Sequence, residues 1–155
     1  MNTTSPLQDF LLDSWLWLLF TYWRLNNGDG HLKRILCIED DIDMLELFRI
    51  LLSRHGFSVK GVTSGQDGLD FIRKEKPDLV ILDIMMPVMD GWQVYQQMKD
   101  DENTRDIPTI VVTAKSQLID KVLGLEIANV DDYIGKPFSP QELLDSISKV
   151  LKLTI

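Results

Sequence analysis

From residue 32 onward the chain alternates between short apolar runs and longer segments whose apolar residues recur at helical spacing. Leu32–Ile38, Val59–Val62, Leu79–Leu82, Thr109–Val112 and Asp132–Gly135 read as strands. A run such as Leu79-Val80-Ile81-Leu82 has no polar face, so it must be buried on both sides, as in a parallel sheet covered by helices. Between the strands, Ile42, Leu45, Phe48, Leu51 and Leu52 mark a helix that Gly56 stops. Ser64 caps a second helix running to about Lys76, where Pro77 forces the exit. Further helices are predicted over about Trp92–Lys99 and Leu118–Leu125. The last is announced by Ser139-Pro140-Gln141-Glu142, an N-cap followed by a proline and a capping-box glutamate. Its apolar face is Leu143, Leu144, Ile147, Val150 and Leu151. Five strands and five helices in strict alternation predict an α/β fold with an open, doubly wound, five-stranded parallel sheet.

In such sheets ligands bind beyond the carboxyl ends of the strands, where the strand order reverses. The residues expected at those ends are all polar: Glu39, Asp40 and Asp41 after the first strand, Asp83 after the third, Thr113 after the fourth and Lys136 after the fifth. A carboxylate directly behind four apolar residues, as in Leu82-Asp83, is hard to explain as packing, because a buried charge without a partner is costly. Carboxylates converging on one rim make a hard, oxygen-rich pocket suited to Mg²⁺ with some of its waters retained. Lys136 adds a compact positive charge and Thr113 a hydroxyl, both suited to phosphoryl oxygens.

The charge of the chain divides it. The formal net charge is −8 over 155 residues, yet residues 1–34 hold three acids and three bases, so the whole excess lies beyond them. An acidic chain of this kind is not expected to grip nucleic acid directly. The neutral leading segment holds Trp15, Trp17 and Trp23 and ends in Asn26-Asn27-Gly28-Asp29-Gly30, a turn-forming run that reads as a linker. The expected organisation is an apolar, Trp-rich extension with its linker over residues 1–31 and one domain over residues 32–152. The apolar stretch over residues 10–25 is short of the roughly 20 residues a spanning helix needs, and it contains Asp13 and Arg24. Membrane contact through its aromatic cluster, docking on a partner, or an upstream-start extension with no work to do are the readings left open for it. With one cysteine, Cys37, placed mid-strand, neither a disulfide framework nor a Cys-rich metal site is available, and a cytoplasmic location is expected. His31 and His55 have no partner motif.

The motifs carry a resemblance. Ile38-Glu39-Asp40-Asp41, Leu82-Asp83-Ile84-Met85-Met86-Pro87 through Asp90-Gly91, Thr113-Ala114-Lys115 and Asp131-Asp132-Tyr133-Ile134-Gly135-Lys136-Pro137-Phe138 stand in order and spacing as in the receiver domain of two-component response regulators, which residues 32–152 resemble. The resemblance implies a flavodoxin-like receiver fold and a phosphoacceptor switch. Asp83 would take a phosphoryl group from a histidine kinase or phosphotransfer protein. Glu39, Asp40, Asp83 and the backbone carbonyl of Met85 would hold Mg²⁺. Lys136 and Thr113 would bind the phosphoryl oxygens, and Tyr133 would be the aromatic whose rotamer follows Thr113. Pro137 would follow a cis bond, and Met85 and Lys115 flank the site. A downstream protein would be met through the face of the fourth helix, fifth strand and fifth helix. The family commonly has a Gly-Ala pair before the fifth strand, whereas this chain reads Glu126-Ile127-Ala128-Asn129-Val130-Asp131, one residue longer. No output domain is expected after the fifth helix, so effects would pass through partners.

Two other readings use the same fold. An adaptor working through its surface without phosphorylation would have no need of Asp83, the acidic pair, Thr113 and Lys136 together. A Mg²⁺-dependent aspartyl phosphohydrolase characteristically places a second Asp two residues after the nucleophile, and here that position is Met85. No enzymatic turnover beyond self-dephosphorylation is therefore expected.

Overall fold

The computed structural model describes residues 32–114 and 130–153. Five strands form one sheet in the order β2-β1-β3-β4-β5: β1 (Arg34–Ile38), β2 (Ser58–Val62), β3 (Leu79–Leu82), β4 (Thr109–Ala114) and β5 (Asp132–Lys136). Every neighbouring pair is parallel. Four helices connect or follow them among the described residues: α1 (Ile42–Arg54), α2 (Gly65–Glu75), α3 (Gly91–Asp100) and α4 (Pro140–Leu151). The helix predicted over Leu118–Leu125 lies outside the described residues, as do the extension over residues 1–31, Lys115 and Glu126–Asn129 of the stretch noted before the fifth strand.

The apolar runs are explained by the two faces of the sheet. Leu36, Ile38, Val80, Leu82 and Val111 pack on one face with Leu69 and Ile72 of α2 and Val94, Tyr95 and Met98 of α3. Ile35, Cys37, Leu79, Ile81, Ile110, Val112 and Ile134 pack on the other with Phe48 and Leu52 of α1 and Leu143, Leu144 and Ile147 of α4. Successive side chains point to opposite faces, so a strand covered on both sides must be apolar at every position. β2, at the edge, is only partly buried, and Lys60 and Gly61 on it are exposed.

Two strand ends differ from expectation. β4 continues through Thr113 and Ala114, and β5 through Lys136, because the ladder persists with Thr113↔Gly135 and Ala114↔Lys136. Thr113 and Lys136 are thus the ends of their strands rather than residues following them, a distinction set by backbone pairing and not by the apolar pattern.

The helix starts are fixed by side chains that accept the unpaired first-turn N–H groups. Asp41 caps α1, accepting from the N–H groups of Asp43 (2.9 Å) and Met44 (3.3 Å). Asp90 and Ser139 head capping boxes with Gln93 and Glu142. Between β1 and β3 the strand order reverses, which opens the crevice where the sheet takes a ligand.

Candidate functional site

Glu39 and Asp40 leave the end of β1, and Asp83 leaves the end of β3, on the two sides of that crevice. The backbone holds both exits: the Glu39 N–H donates to the Val62 carbonyl (3.1 Å) and the Asp83 N–H to the Ile38 carbonyl (3.0 Å). Glu39 is 2% exposed and Asp83 6%, whereas Asp40 faces solvent. One carboxylate oxygen from each of the three lies within 4.8 Å of the others.

Lys136 reaches this cluster from the far edge of the sheet. Its Nζ donates to Glu39 Oε2 at 2.6 Å and to Asp83 Oδ2 at 3.4 Å. The other oxygens meet backbone donors: the Asp41 N–H reaches Glu39 Oε1 (3.2 Å) and the Met85 N–H reaches Asp83 Oδ1 (3.1 Å). Burial pushes the Glu39 carboxyl up to about 7; the Lys136 hydrogen bond opposes this and the Asp83 charge adds to it. For Lys136, burial alone would lower the ammonium pKa, but the Glu39 hydrogen bond and the two carboxylate charges outweigh it and raise it.

Three carboxylates against one ammonium leave the crevice with excess negative charge. Two of them are desolvated and one is open to water. That set fits a small divalent cation: hard oxygen donors on the protein side, with the exposed Asp40 side left for retained waters. Asp41, grouped with these acids by sequence, does not join them, because its side chain is engaged in capping α1.

Thr113, 3% exposed, has its Oγ1 buried with no hydrogen-bond partner among the described residues. An unsatisfied buried hydroxyl costs about 1–3 kcal/mol. Tyr133 stands half-exposed on β5, and the bond from Lys136 to Pro137 is cis. Phe138 stacks on Phe48 with ring centroids 6.0 Å apart, anchoring the turn after Lys136 to α1.

The loop after Asp83 is tightly built. The Gly91 N–H donates to the Ile84 carbonyl at 2.9 Å, bringing the start of α3 against the site. A Cβ on Gly91 would run into the Asp83 carbonyl oxygen and stand 2.7 Å from Ile84 Cα. Val88, fully exposed, sits at φ 68°, where the Met89 N–H closes on the Pro87 carbonyl at 2.8 Å, a strained turn for a β-branched residue. Sequence reasoning gave Gly91 no role of its own. The available signal was its place directly after Asp90, the cap of the helix that follows the site loop.

A parallel α/β sheet whose reversal crevice holds two buried acids and the ammonium of a lysine from the last strand has a site able to hold a charged ligand. Residues 35–148 match the response regulator receiver domain family, and the chain belongs to that family. It is 40% identical over 120 residues to the transcriptional regulatory protein GltR of Pseudomonas aeruginosa, covering 77% of this chain and 49% of that protein. It is 38% identical over 120 residues to the alkaline phosphatase synthesis transcriptional regulatory protein PhoP of Bacillus subtilis, covering 77% and 49%. The chain spans about half the length of these curated relatives. Its fold is similar to that of a response regulator receiver domain protein from Methanospirillum hungatei, with a TM-score of 0.70 at 31% identity over 79% of this chain and 95% of that one. Among the described residues, no helix is long and apolar enough to cross a membrane.

Proposed function

We propose that this domain is a phosphoacceptor signalling switch in which Asp83 receives a phosphoryl group from a histidine kinase or a histidine phosphotransfer protein. The observation that carries the reading is the placement of Asp83: buried, in the reversal crevice, with Glu39 and Asp40 beside it and Lys136 3.4 Å away. An Asp83 carboxylate oxygen attacks phosphorus as the bond from phosphorus to the donor's imidazole nitrogen breaks, and the imidazole leaves. Such transfer depends mainly on positioning and charge neutralisation, so a carboxylate with fixed neighbours is a sufficient nucleophile.

Glu39, Asp40, Asp83 and the backbone carbonyl of Met85 would hold Mg²⁺, which when bound offsets the carboxylate excess and the charge of the transferring group. Lys136 supplies its ammonium to a phosphoryl oxygen, shifting from its bond with Glu39. Thr113 donates its buried hydroxyl to another oxygen, moving inward. Tyr133 turns toward the space this opens, and the altered surface around β5, the segment preceding it and α4 presents the signal to a downstream protein.

The test is labelling. With Mg²⁺ and radiolabelled acetyl phosphate, the protein should acquire an acid-stable, hydroxylamine-labile label that Asp83→Asn lacks. An unlabelled wild type, or an equally labelled variant, overturns the reading.

A further inference from the structure

Lys136 reaches past one acid to bond another. The sheet order sets β5 two strands from β3 and three from β1. At about 4.8 Å per strand, Lys136 starts about 10 Å from the strand that ends in Asp83 and about 14 Å from the one that ends in Glu39. Asp83 is on the nearer strand, yet the short bond runs to the farther one: Nζ lies 2.6 Å from Glu39 Oε2 and 3.4 Å from Asp83 Oδ2. The two contacts differ in kind. A charge-assisted N–H···O bond is about 2.7–2.9 Å long, so Glu39 makes a full one, whereas at 3.4 Å Asp83 feels the ammonium charge without being locked to it.

Asp83 is aimed by other means. Its N–H is held by the Ile38 carbonyl at 3.0 Å, and its Oδ1 accepts from the Met85 N–H at 3.1 Å. Among the described residues, Oδ2 meets no donor closer than the Lys136 ammonium. Glu39 wins the lysine for two reasons. Glutamate is one methylene longer than aspartate, which extends its reach from β1. Its carboxylate is also buried, so its charge needs a partner, and Lys136 is the one cation in salt-bridge contact with it among the described residues.

We propose that Glu39 is a positioning residue for the nucleophile: it takes the short hydrogen bond of Lys136 and so keeps that ammonium from closing on Asp83, whose Oδ2 enters the reaction uncommitted. This inference rests on the phosphoacceptor reading above. An ammonium bonded to the attacking oxygen stabilises the ground-state carboxylate that the reaction consumes, and it must be released before attack. Held back by Glu39, the same ammonium remains beside the reaction and free to meet charge on the transferring group. With acetyl phosphate as donor, the bond from Oδ2 to phosphorus forms as the bond from phosphorus to acetate breaks, and acetate leaves.

The experiment locates the lysine and the rate separately. The full chain is prepared with isotope-labelled lysine, and Lys136 is assigned by its loss in Lys136→Met. In EDTA, nuclear Overhauser contacts from the Lys136 side chain should reach the Glu39 side-chain protons more strongly than those of Asp83. Glu39→Asp, by shortening the reach, and the isosteric Glu39→Gln, by removing the charge, should both reverse that preference. With acetyl phosphate, at Mg²⁺ concentrations saturating each protein, Glu39→Asp should label Asp83 about tenfold more slowly, the effect of one charge-assisted hydrogen bond to be broken. Lys136→Met slows labelling in its own right, and adding Glu39→Asp to it should slow labelling no further, because the clamp on Asp83 has gone with the lysine. Should Glu39→Asp fail to fold, Glu39→Gln takes its place in both comparisons. An unchanged preference of Lys136 for residue 39 in both variants overturns the inference. Rate losses that multiply in the double variant would assign Glu39 to cation binding alone and overturn it equally. An unlabelled wild type instead removes the phosphoacceptor reading, and the inference with it.

Discussion

Glu39 is 2% exposed and shares the Lys136 ammonium with Asp83, and burial pushes its carboxyl up to about 7 from the ordinary 4.5. The raised value means that the native state holds a proton on Glu39 which the unfolded chain releases at lower pH. The stabilisation is therefore fully present below about pH 4.5 and is lost as pH rises through about 7. Without divalent metal, the urea midpoint is expected to fall between pH 5 and pH 8 on this account. Glu39→Gln, which keeps an acceptor for Lys136 but cannot ionise, should flatten that decline and exceed wild type at pH 8 by about 1–3 kcal/mol. Parallel pH profiles for the two proteins would show that Glu39 is not the group responsible. Cys37, by contrast, is raised by its complete burial and then by the Glu39 charge, which leaves its thiol protonated and unreactive in the folded core.

At the scale of elements, the site depends on how closely α3 is drawn to β3. Gly91 opens α3 against the Asp83 carbonyl, with no space for even a methyl group. Gly91→Ala should therefore lower stability by about 2–3 kcal/mol, since backbone rather than a flexible side chain must yield, and urea denaturation would measure it. A loss below about 0.5 kcal/mol, the range of neutral surface changes, would show that the contact is not strained. The same elements explain what the sequence revealed. The strands over 34–38, 79–82 and 109–112 were legible because burial on two faces leaves an uninterrupted apolar signal. The extension of β4 through Thr113 and Ala114 was not, since pairing uses backbone groups common to all residues. Glu39, Asp40 and Asp83 were legible as acids behind strands, but their different burial was not, because it is set by Val62, Ile38 and Lys136, distant in sequence. Asp41 was grouped with these acids by position alone, because an acid that caps a helix and an acid that lines a crevice look alike when adjacent. The distinguishing signal, helical spacing that begins at Ile42, was present.

For the molecule as a whole, the site has no local scaffold. Glu39 and Asp40 come from the end of β1, Asp83 from the end of β3, and Lys136 from β5, 97 residues from Glu39 and 53 from Asp83. Only the assembled sheet brings them together, so a cation that bridges β1 and β3 binds the native state and finds no equivalent set in the unfolded chain. Binding must then appear as stability, about 2.7 kcal/mol when free Mg²⁺ is at 100 times its Kd. Mg²⁺ is expected to raise the thermal midpoint progressively with concentration, EDTA to restore it, and Asp83→Asn and Glu39→Gln to lose most of the increment. Amide hydrogen exchange should locate the effect, with added protection at the carboxyl ends of β1 and β3 and little change at Lys99 and Asp100, the far end of α3. A midpoint that rises equally in wild type and Asp83→Asn would place the cation elsewhere on this acidic surface. The outcome bears on signalling too, because a site assembled from three strands couples any charge added at Asp83 to the edge strand that carries Tyr133 and Lys136.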